Sequence, residues 1–260
     1  MSSLFAISDL HLCDKGSRDN FAVRGEDRLL RFLDYVDHEQ GTLLVLGDLF
    51  DVWQCNFSAS VMAYQKLLRA LACVGPLGAR WVVGNHDGLL VKFLGTGIQL
   101  VNACLPTMSG PFEVTVGGRR YAFAHGHEFD NTCNSLNPGI GELTAIISGM
   151  LEDRKGPDTG TTEDRFIGSL EFPLNLWRAV SHQVSRDEEM LNNAITYRKE
   201  AGADTLVYGH THTAGRVGDS IFNTGCWCRD TDTFIRINDG VPSLWVWDDD
   251  RAAPFEKELQ

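Results

Sequence analysis

Five short segments join an apolar run to residues that can bind a cation or move a proton. The run LFAI at residues 4–7 leads into SDLH, with Asp9 and His11. LLVL at 43–46 leads into Gly47 and Asp48, and WVV at 81–83 into Gly84, Asn85, His86 and Asp87. YAFA at 121–124 leads into His125, Gly126 and His127, and LVY at 206–208 into Gly209, His210, Thr211 and His212. The last is the most telling. Two imidazoles at i and i+2 on extended backbone point the same way, because side chains alternate faces. One histidine at a strand end is an ordinary surface or core residue, whereas two on one face at the mouth of a buried strand suit a metal. Asp9, Asp48 and Asn85 each have a plain structural use as cap, turn closer or left-handed loop residue. Joined by His11, His125, His210 and His212, they form a set of seven donors of carboxylate oxygen, amide oxygen and imidazole nitrogen. Two divalent ions need about that many ligands, and ions held roughly 3.5–4 Å apart can clamp the attacking and leaving oxygens of an in-line displacement. One carboxylate must then bridge, and Asp48 is central in chain order. The mixed donors suit manganese, the expected ion, or iron or zinc, better than an all-oxygen magnesium or calcium cage.

Such donors need strands to carry them. Short continuous apolar runs are what strands buried on both faces look like. Between the early runs lie helical patterns. Residues 26–39 place Leu29, Leu30, Leu33 and Val36 on one face, with Gly41 as a stop. Residues 60–73 repeat this with Val61, Tyr64, Leu67, Leu68 and Leu71. Strand and helix in alternation argue for α/β units, whose ligands bind beyond the carboxyl ends of the strands. All five polar clusters fall there. The later chain reads as antiparallel. Residues 112–116 and 119–123 flank Gly117 and Gly118 as a hairpin. Runs at 221–223, 233–237 and 243–247 follow, with a turn at 238–240 and a polar, peripheral tail from Asp248. Residues 131–200 are too long for a plain connection and predict a helical insertion. It holds an amphipathic stretch at 141–154, a polar loop at 155–162 and an apolar stretch at 166–180. Ser185 to Glu188 then reads as a capping box opening a helix to about Glu200, with Gly202 as its stop. The insertion either covers one face of a sheet or caps the site.

A chain of 260 residues fits a single domain over 1–260 with that insertion inside it. A hydrophobic fraction of 43% with 22% charged residues is that of a globular protein. No apolar run is long enough to span a bilayer, and the N-terminus lacks the basic and apolar regions of a signal peptide, so the expected location is cytoplasmic. The net charge of −12, without a basic stripe, disfavours nucleic acid as a partner and electrostatic docking on anionic membranes. The seven cysteines are scattered without a CxxC pair, and reduced thiols are expected. For Cys226 and Cys228, either side of Trp227, a ligand role is the remote alternative.

The blocks SDLHL, GDLFD, GNHD, HGH and GHTH, in that order, resemble the five signature blocks of the calcineurin-like metallophosphoesterase superfamily. The resemblance implies two mixed β-sheets packed face to face and flanked by helices, with a dinuclear metal site at one edge. It implies that Asp9, His11 and His212 hold one metal, that Asn85, His125 and His210 hold the other, and that Asp48 bridges. A hydroxide between the metals would attack phosphorus. His86 would face the leaving oxygen as general acid or charge stabiliser, oriented by Asp87. Asp51 and Asp130 would orient neighbours, while His127 and His182 have no assigned role. SDLHL, GDLFDVW and NTGCW (223–227) are further similar to the UDP-2,3-diacylglucosamine hydrolase-like branch. That branch cleaves a pyrophosphate in lipid A synthesis and carries a helical insertion before the final histidine block. It implies a nucleotide-sugar pyrophosphate as the small phosphoester substrate. Leu170, Phe172, Leu174, Leu176 and Trp177 would line an acyl-chain pocket, with peripheral membrane contact. The branch generally has arginine where this chain has His86, and HGD where it has HGH. Two other readings therefore stand beside it. One is a broad phosphodiesterase or phosphatase acting on small nucleotides or phosphoproteins. The other is a non-catalytic scaffold of the same fold.

Overall fold

The structure is a computed structural model that describes residues 3–17, 19–88, 90, 98–100, 103–105, 107–108, 110–131, 183–229 and 231–259. Three apolar runs form parallel neighbours: β1 (Leu4–Ile7), β2 (Thr42–Leu46) and β3 (Arg80–Val82). Helices α1 (Asn20–Arg24), α2 (Asp27–His38), α3 (Phe57–Ala63) and α4 (Gln65–Cys73) connect them. Strands β4 (Ile98–Leu100) and β5 (Ala103–Leu105) pair with each other, and β6 (Thr107–Met108) joins β3. The second sheet takes β7 (Phe112–Val116), β8 (Arg119–Phe123), β9 (Thr205–Tyr208), β10 (Gly215–Val217) and β11 (Ile221–Asn223). Strands β12 (Thr233–Asn238), β13 (Val241–Asp248) and β14 (Arg251–Pro254) return to the first. The seven-stranded order is β14-β13-β12-β1-β2-β3-β6 and the five-stranded order β10-β11-β9-β8-β7, both mixed. Helix α5 (Gln183–Glu200) lies on the second sheet.

Alternation along the strands builds four layers. Phe5, Ile7, Leu43, Val45 and Trp81 face α2 and α4 in one core. Their neighbours Ala6, Leu44, Leu46 and Val82 face the other way, against Tyr121, Phe123, Val207 and Phe222 of the second sheet. Ala122, Leu206, Tyr208 and Ile221 then face Met190 and Ala194 of α5. A strand buried on both faces has no polar side to show, which is why these runs are continuously apolar. The layered α/β architecture expected from the sequence is the one observed.

Several local expectations need correction. The single helix expected over 60–73 is two, broken at Tyr64 (φ −112°, ψ 25°), whose hydroxyl donates to the buried carboxylate of Asp19 at 2.6 Å. Helix α2 ends at His38, and the left-handed residue that closes it is Gln40 (φ +49°) rather than Gly41. Gly41 instead gives its N–H to Val36, and a Cβ on it would lie 2.5 Å from the Phe5 ring. Helix α5 starts before Ser185, which is therefore not its cap. It does close at Gly202 (φ +63°), where the N–H groups of Gly202 and Ala203 return to Lys199 and Arg198. The tail is not peripheral to the sheet, since β14 forms its edge. Cys13 and Cys55 form a disulfide, against the expectation of reduced thiols throughout. The loops after β1 and β2 run side by side, and that brings the two sulfurs together (Leu12 N–H to Leu49 O, 2.9 Å; Asp51 N–H to Leu12 O, 3.2 Å). The expected helical stretch at 141–154, the apolar run at 166–180 and His182 lie outside the described residues.

Candidate metal centre

The loops that follow β1, β2, β3, β8 and β9 meet at one edge of the two sheets. Backbone hydrogen bonds stitch them together: Asp9 N–H to Gly47 O (3.2 Å), His11 N–H to Asp48 O (2.9 Å) and Gly209 N–H to His125 O (2.7 Å). Each strand turns sharply where it ends. Asp9, His11, Asp48, His210 and His212 all have positive φ, between 50° and 71°. That conformation costs an L-residue roughly 1–2 kcal/mol, and Asp, Asn and His tolerate it best. So much strain in one cluster is typical of a site held by the surrounding fold. Glycine is required where loops touch. At Gly47 (φ +85°) a Cβ would lie 2.2 Å from Nδ1 of His125, and at Gly209 it would lie 2.2 Å from Oγ of Ser8.

All seven donors expected from the sequence converge, in two groups with Asp48 between. In the first, Nε2 of His11 and Nε2 of His212 approach to 3.1 Å. Oδ1 of Asp9 lies 3.2 Å from His212 and 3.7 Å from His11. The other oxygen of Asp9 is already engaged by the Ser8 hydroxyl and by the His210 N–H (2.9 Å). Oδ1 is buried and has no hydrogen-bond partner, a costly state unless something cationic fills the gap. In the second group, Nδ1 of His125 donates to the carbonyl of Leu46 at 2.8 Å. Its Nε2 lies 3.0 Å from Oδ1 of Asn85 and 3.2 Å from Oδ2 of Asp48, an arrangement that a proton or a metal ion among the three would satisfy. Nε2 of His210 is held by Asp130 at 3.0 Å, leaving Nδ1 as its open donor. Oδ2 of Asp48 also lies 3.6 Å from Nε2 of His11, so one oxygen faces both groups, while Oδ1 accepts the His86 N–H at 2.9 Å. Among the described residues, Asp48, His125 and His210 bring one donor atom each within 4.8 Å of one another, and so do His11, Asp48 and His86. The donors fit two divalent ions.

The electrostatics agree with that fit. Burial opposes charge on all of these groups, yet the Asp9 and Asp48 carboxyls lie well below the usual carboxylate range because the imidazoles around them prevail. Burial likewise works against protonation of His11, His125 and His212, and their carboxylate neighbours overcome it, raising all three. His210, with more burial than compensation, is lowered. Without metal, protons on imidazoles neutralise the two carboxylates. Burial pushes His127 down to about 4, so it packs beside His125 as a neutral ring.

His86 stands next to both groups. Its ring meets His11 edge-on at 4.6 Å and lies tilted by 30° against Trp53, 4.0 Å between centroids. Its Nδ1 pairs with Oδ1 of Asp51 at 3.0 Å. Asp87, expected to orient this ring, does not. Its carboxylate accepts the N–H groups of Gly84 (2.6 Å) and Leu49 (2.8 Å), tying the β2 and β3 loops together from beneath. Burial and the nearby Asp48 charge push Asp87 up to about 7. GDLFD and GNHD each end in aspartate, and spacing alone did not decide between them.

Other contributors were not assigned from the sequence. Ser8 clamps Asp9 while bonded to the Thr224 hydroxyl at 2.7 Å and the Gly225 carbonyl at 3.0 Å. Asn223 donates to Gly209 O and Thr211 Oγ1, both at 3.0 Å, and so fixes the GHTH turn. The NTGCW block carries Asn223 and the partners of Ser8, and these pairings are visible only in the fold. The thiols of Cys226 and Cys228 share a hydrogen bond that pulls Cys226 down to about 6 and, with burial, pushes Cys228 up.

A site of this composition at the meeting edge of two mixed sheets suits a phosphoesterase. The model of the calcineurin-like phosphoesterase family matches residues 3–214, and the chain belongs to that family. The chain is similar to the UDP-2,3-diacylglucosamine hydrolase of Blochmanniella pennsylvanica, with 26% identity over 92% of this chain and 93% of that one. Its namesake in Cellvibrio japonicus is also 26% identical, over 83% and 84% of the two chains. Among solved structures, a single mutant of Vps29 from Entamoeba histolytica aligns with TM-score 0.47 and 12% identity, covering 98% of this chain and 99% of that one. Among the described residues no helix is long and apolar enough to cross a membrane.

Proposed function

We propose that the chain is a dinuclear metal-dependent phosphoester hydrolase acting in line on phosphorus, with a nucleotide-sugar pyrophosphate like UDP-2,3-diacylglucosamine as substrate. The observation that carries the metal reading is the paired arrangement of lone pairs. The partnerless Oδ1 of Asp9 faces His11 and His212, and Asp48 Oδ2 is shared with His125. Asp9, His11 and His212 would hold one ion and Asn85, His125 and His210 the other, with Asp48 between them. When bound, two such ions acidify a water to a nucleophile and neutralise charge on the phosphoryl oxygens. The protein does the rest. Asp51 accepts the Nδ1–H of His86, so the opposite nitrogen, Nε2, would carry or release the proton that meets the departing oxygen. Trp53 covers one face of the ring and His11 blocks its edge, leaving it little freedom to turn. Asp130 keeps His210 in place in the same way.

The substrate reading rests on the named relatives and on the insertion before the final histidine block. A second reading, a broad phosphodiesterase or phosphatase, is favoured by one residue: His86 can donate a proton to many leaving groups. A substrate panel on manganese-loaded protein separates the two, with metal-free protein as control. Selective cleavage of UDP-2,3-diacylglucosamine over UDP-sugars, cyclic nucleotides and nitrophenyl esters is the expected result. Preference for the simple nitrophenyl diester would move the chain to the second reading.

A further inference from the structure

We propose that Cys228 is a positioning residue of the metal centre: its sulfur accepts the Nδ1–H of His212 from behind and so fixes the tautomer and ring angle in which Nε2 can meet a metal. This rests on the dinuclear reading above, in which His212 is a ligand of the first position. A neutral imidazole that lends one nitrogen to a metal carries its proton on the other. The partner of that N–H sets the ring's orientation and the basicity of the ligating atom. The other donor imidazoles each have an acceptor on the far side. Nδ1 of His125 donates to the Leu46 carbonyl at 2.8 Å, Nε2 of His210 lies 3.0 Å from Asp130, and Nδ1 of His11 faces Oδ2 of Asp51 at 3.9 Å. In His212, Nε2 is turned towards Oδ1 of Asp9 at 3.2 Å and Nε2 of His11 at 3.1 Å, which leaves Nδ1 pointing away from the metal position. Among the described residues, the group that meets Nδ1 there is the Cys228 sulfur, at 4.0 Å. Sulfur is a large and weak acceptor, so the contact is long.

The chain around Cys228 holds that sulfur in register with the centre. The Trp227 N–H donates to Asp9 O at 3.1 Å, and its indole N–H donates to Thr233 O at 2.9 Å. Arg28, from α2, donates to the Trp227 carbonyl and pairs with Asp232. The residue before Cys228 is thus tied to the backbone of Asp9, which shares the first metal position with His212. Cys228 itself is buried, so water does not compete for the ring N–H from that side. A buried cysteine is otherwise a small packing residue, and Cys226, buried in the same loop, provides the comparison.

The test is nitrogen-15 NMR of the full chain loaded with zinc, which is diamagnetic, with the His212 ring assigned through its own backbone. Wild type is expected to show Nε2 bound to metal and a proton on Nδ1 that exchanges slowly with water. Cys228→Ala should lose that protection, and its affinity for zinc and manganese alike should fall by about 10–100-fold, the range that loss of such a supporting partner gives. Cys226→Ala should keep both the signal and the affinities. A wild-type spectrum with the His212 proton on Nε2 overturns the assignment, and it decides the matter even if Cys228→Ala does not fold. Wild-type affinity for both ions in Cys228→Ala also overturns it. So does a loss of zinc affinity alone, which would mark the sulfur as a ligand. Failure of the wild type to bind zinc at all would overturn the dinuclear reading as well.

Discussion

Asp48 carries two tasks on one side chain. Its Oδ1 takes the backbone N–H of His86, and its Oδ2 looks at both His11 and His125. Asp48→Ala is therefore expected to lose both metals, read by elemental analysis of the purified variant. Retention of one full equivalent would show that the two groups bind independently. His86 makes the opposite case. Removing its ring leaves the seven donors intact, so His86→Ala should keep its metals while kcat falls by about 10²–10⁴-fold, the usual worth of a positioned acid or base. Unchanged kcat on a substrate with a poor leaving group would remove the proton-transfer role. At this scale the sequence was informative because the donors are local: each block names its own residues. Ser8 was not legible, since its purpose depends on Thr224, 216 residues away. The choice between Asp51 and Asp87 was not legible either, because it turns on which loop passes above the ring.

Elements place these residues through tight turns rather than through their own length. The strand ends could be read from apolar runs that stop at polar clusters, and the two hairpin turns from Gly117–Gly118 and from Asp239 with Gly240, all of positive φ. The break at Tyr64 could not, since the helical period of Val61, Leu67, Leu68 and Leu71 continues through it. Its cause is a hydroxyl reaching Asp19, 45 residues away. The edge strand β14 was missed because its residues, Arg-Ala-Ala-Pro, include no β-branched or aromatic side chain and end in a proline, which only an edge tolerates. The turn after β2 is the most exposed to change. Gly47→Ala would force an L-residue into a left-handed backbone and drive its Cβ into the His125 ring. The expected cost exceeds the roughly 1–2 kcal/mol of the backbone term alone, with weaker binding at the second metal position. Urea midpoints and metal content measured on the same sample check both. A variant with wild-type values for each would mean that the loop is free to move.

At the scale of the whole molecule, the site is a concentration of carboxylates and imidazoles inside a chain of net charge −12. The raised His11, His125 and His212 stay protonated to higher pH than free imidazoles when no metal is bound. Metal must displace those protons, so affinity is expected to fall as pH falls, with proton release on binding near neutral pH. Calorimetry in buffers of different ionisation enthalpy reads the protons released, and buffer-independent heats would contradict this charge balance. Metal should also raise the thermal midpoint, since only the folded chain assembles the site. Composition disfavoured nucleic-acid partners, continuous apolar strands alternating with helices gave the α/β class, and the pair of mixed sheets was what the family resemblance implied. None of these reached the substrate.

One titration bears most directly on the dinuclear hydrolase. Metal-stripped protein receives manganese in steps while bound ion and hydrolysis of a nitrophenyl diester are followed together. Activity that rises to a plateau at two equivalents, and stays negligible in Asp48→Ala, is the predicted result. Full activity at one equivalent or without metal, or a plateau that Asp48→Ala shares, would contradict it.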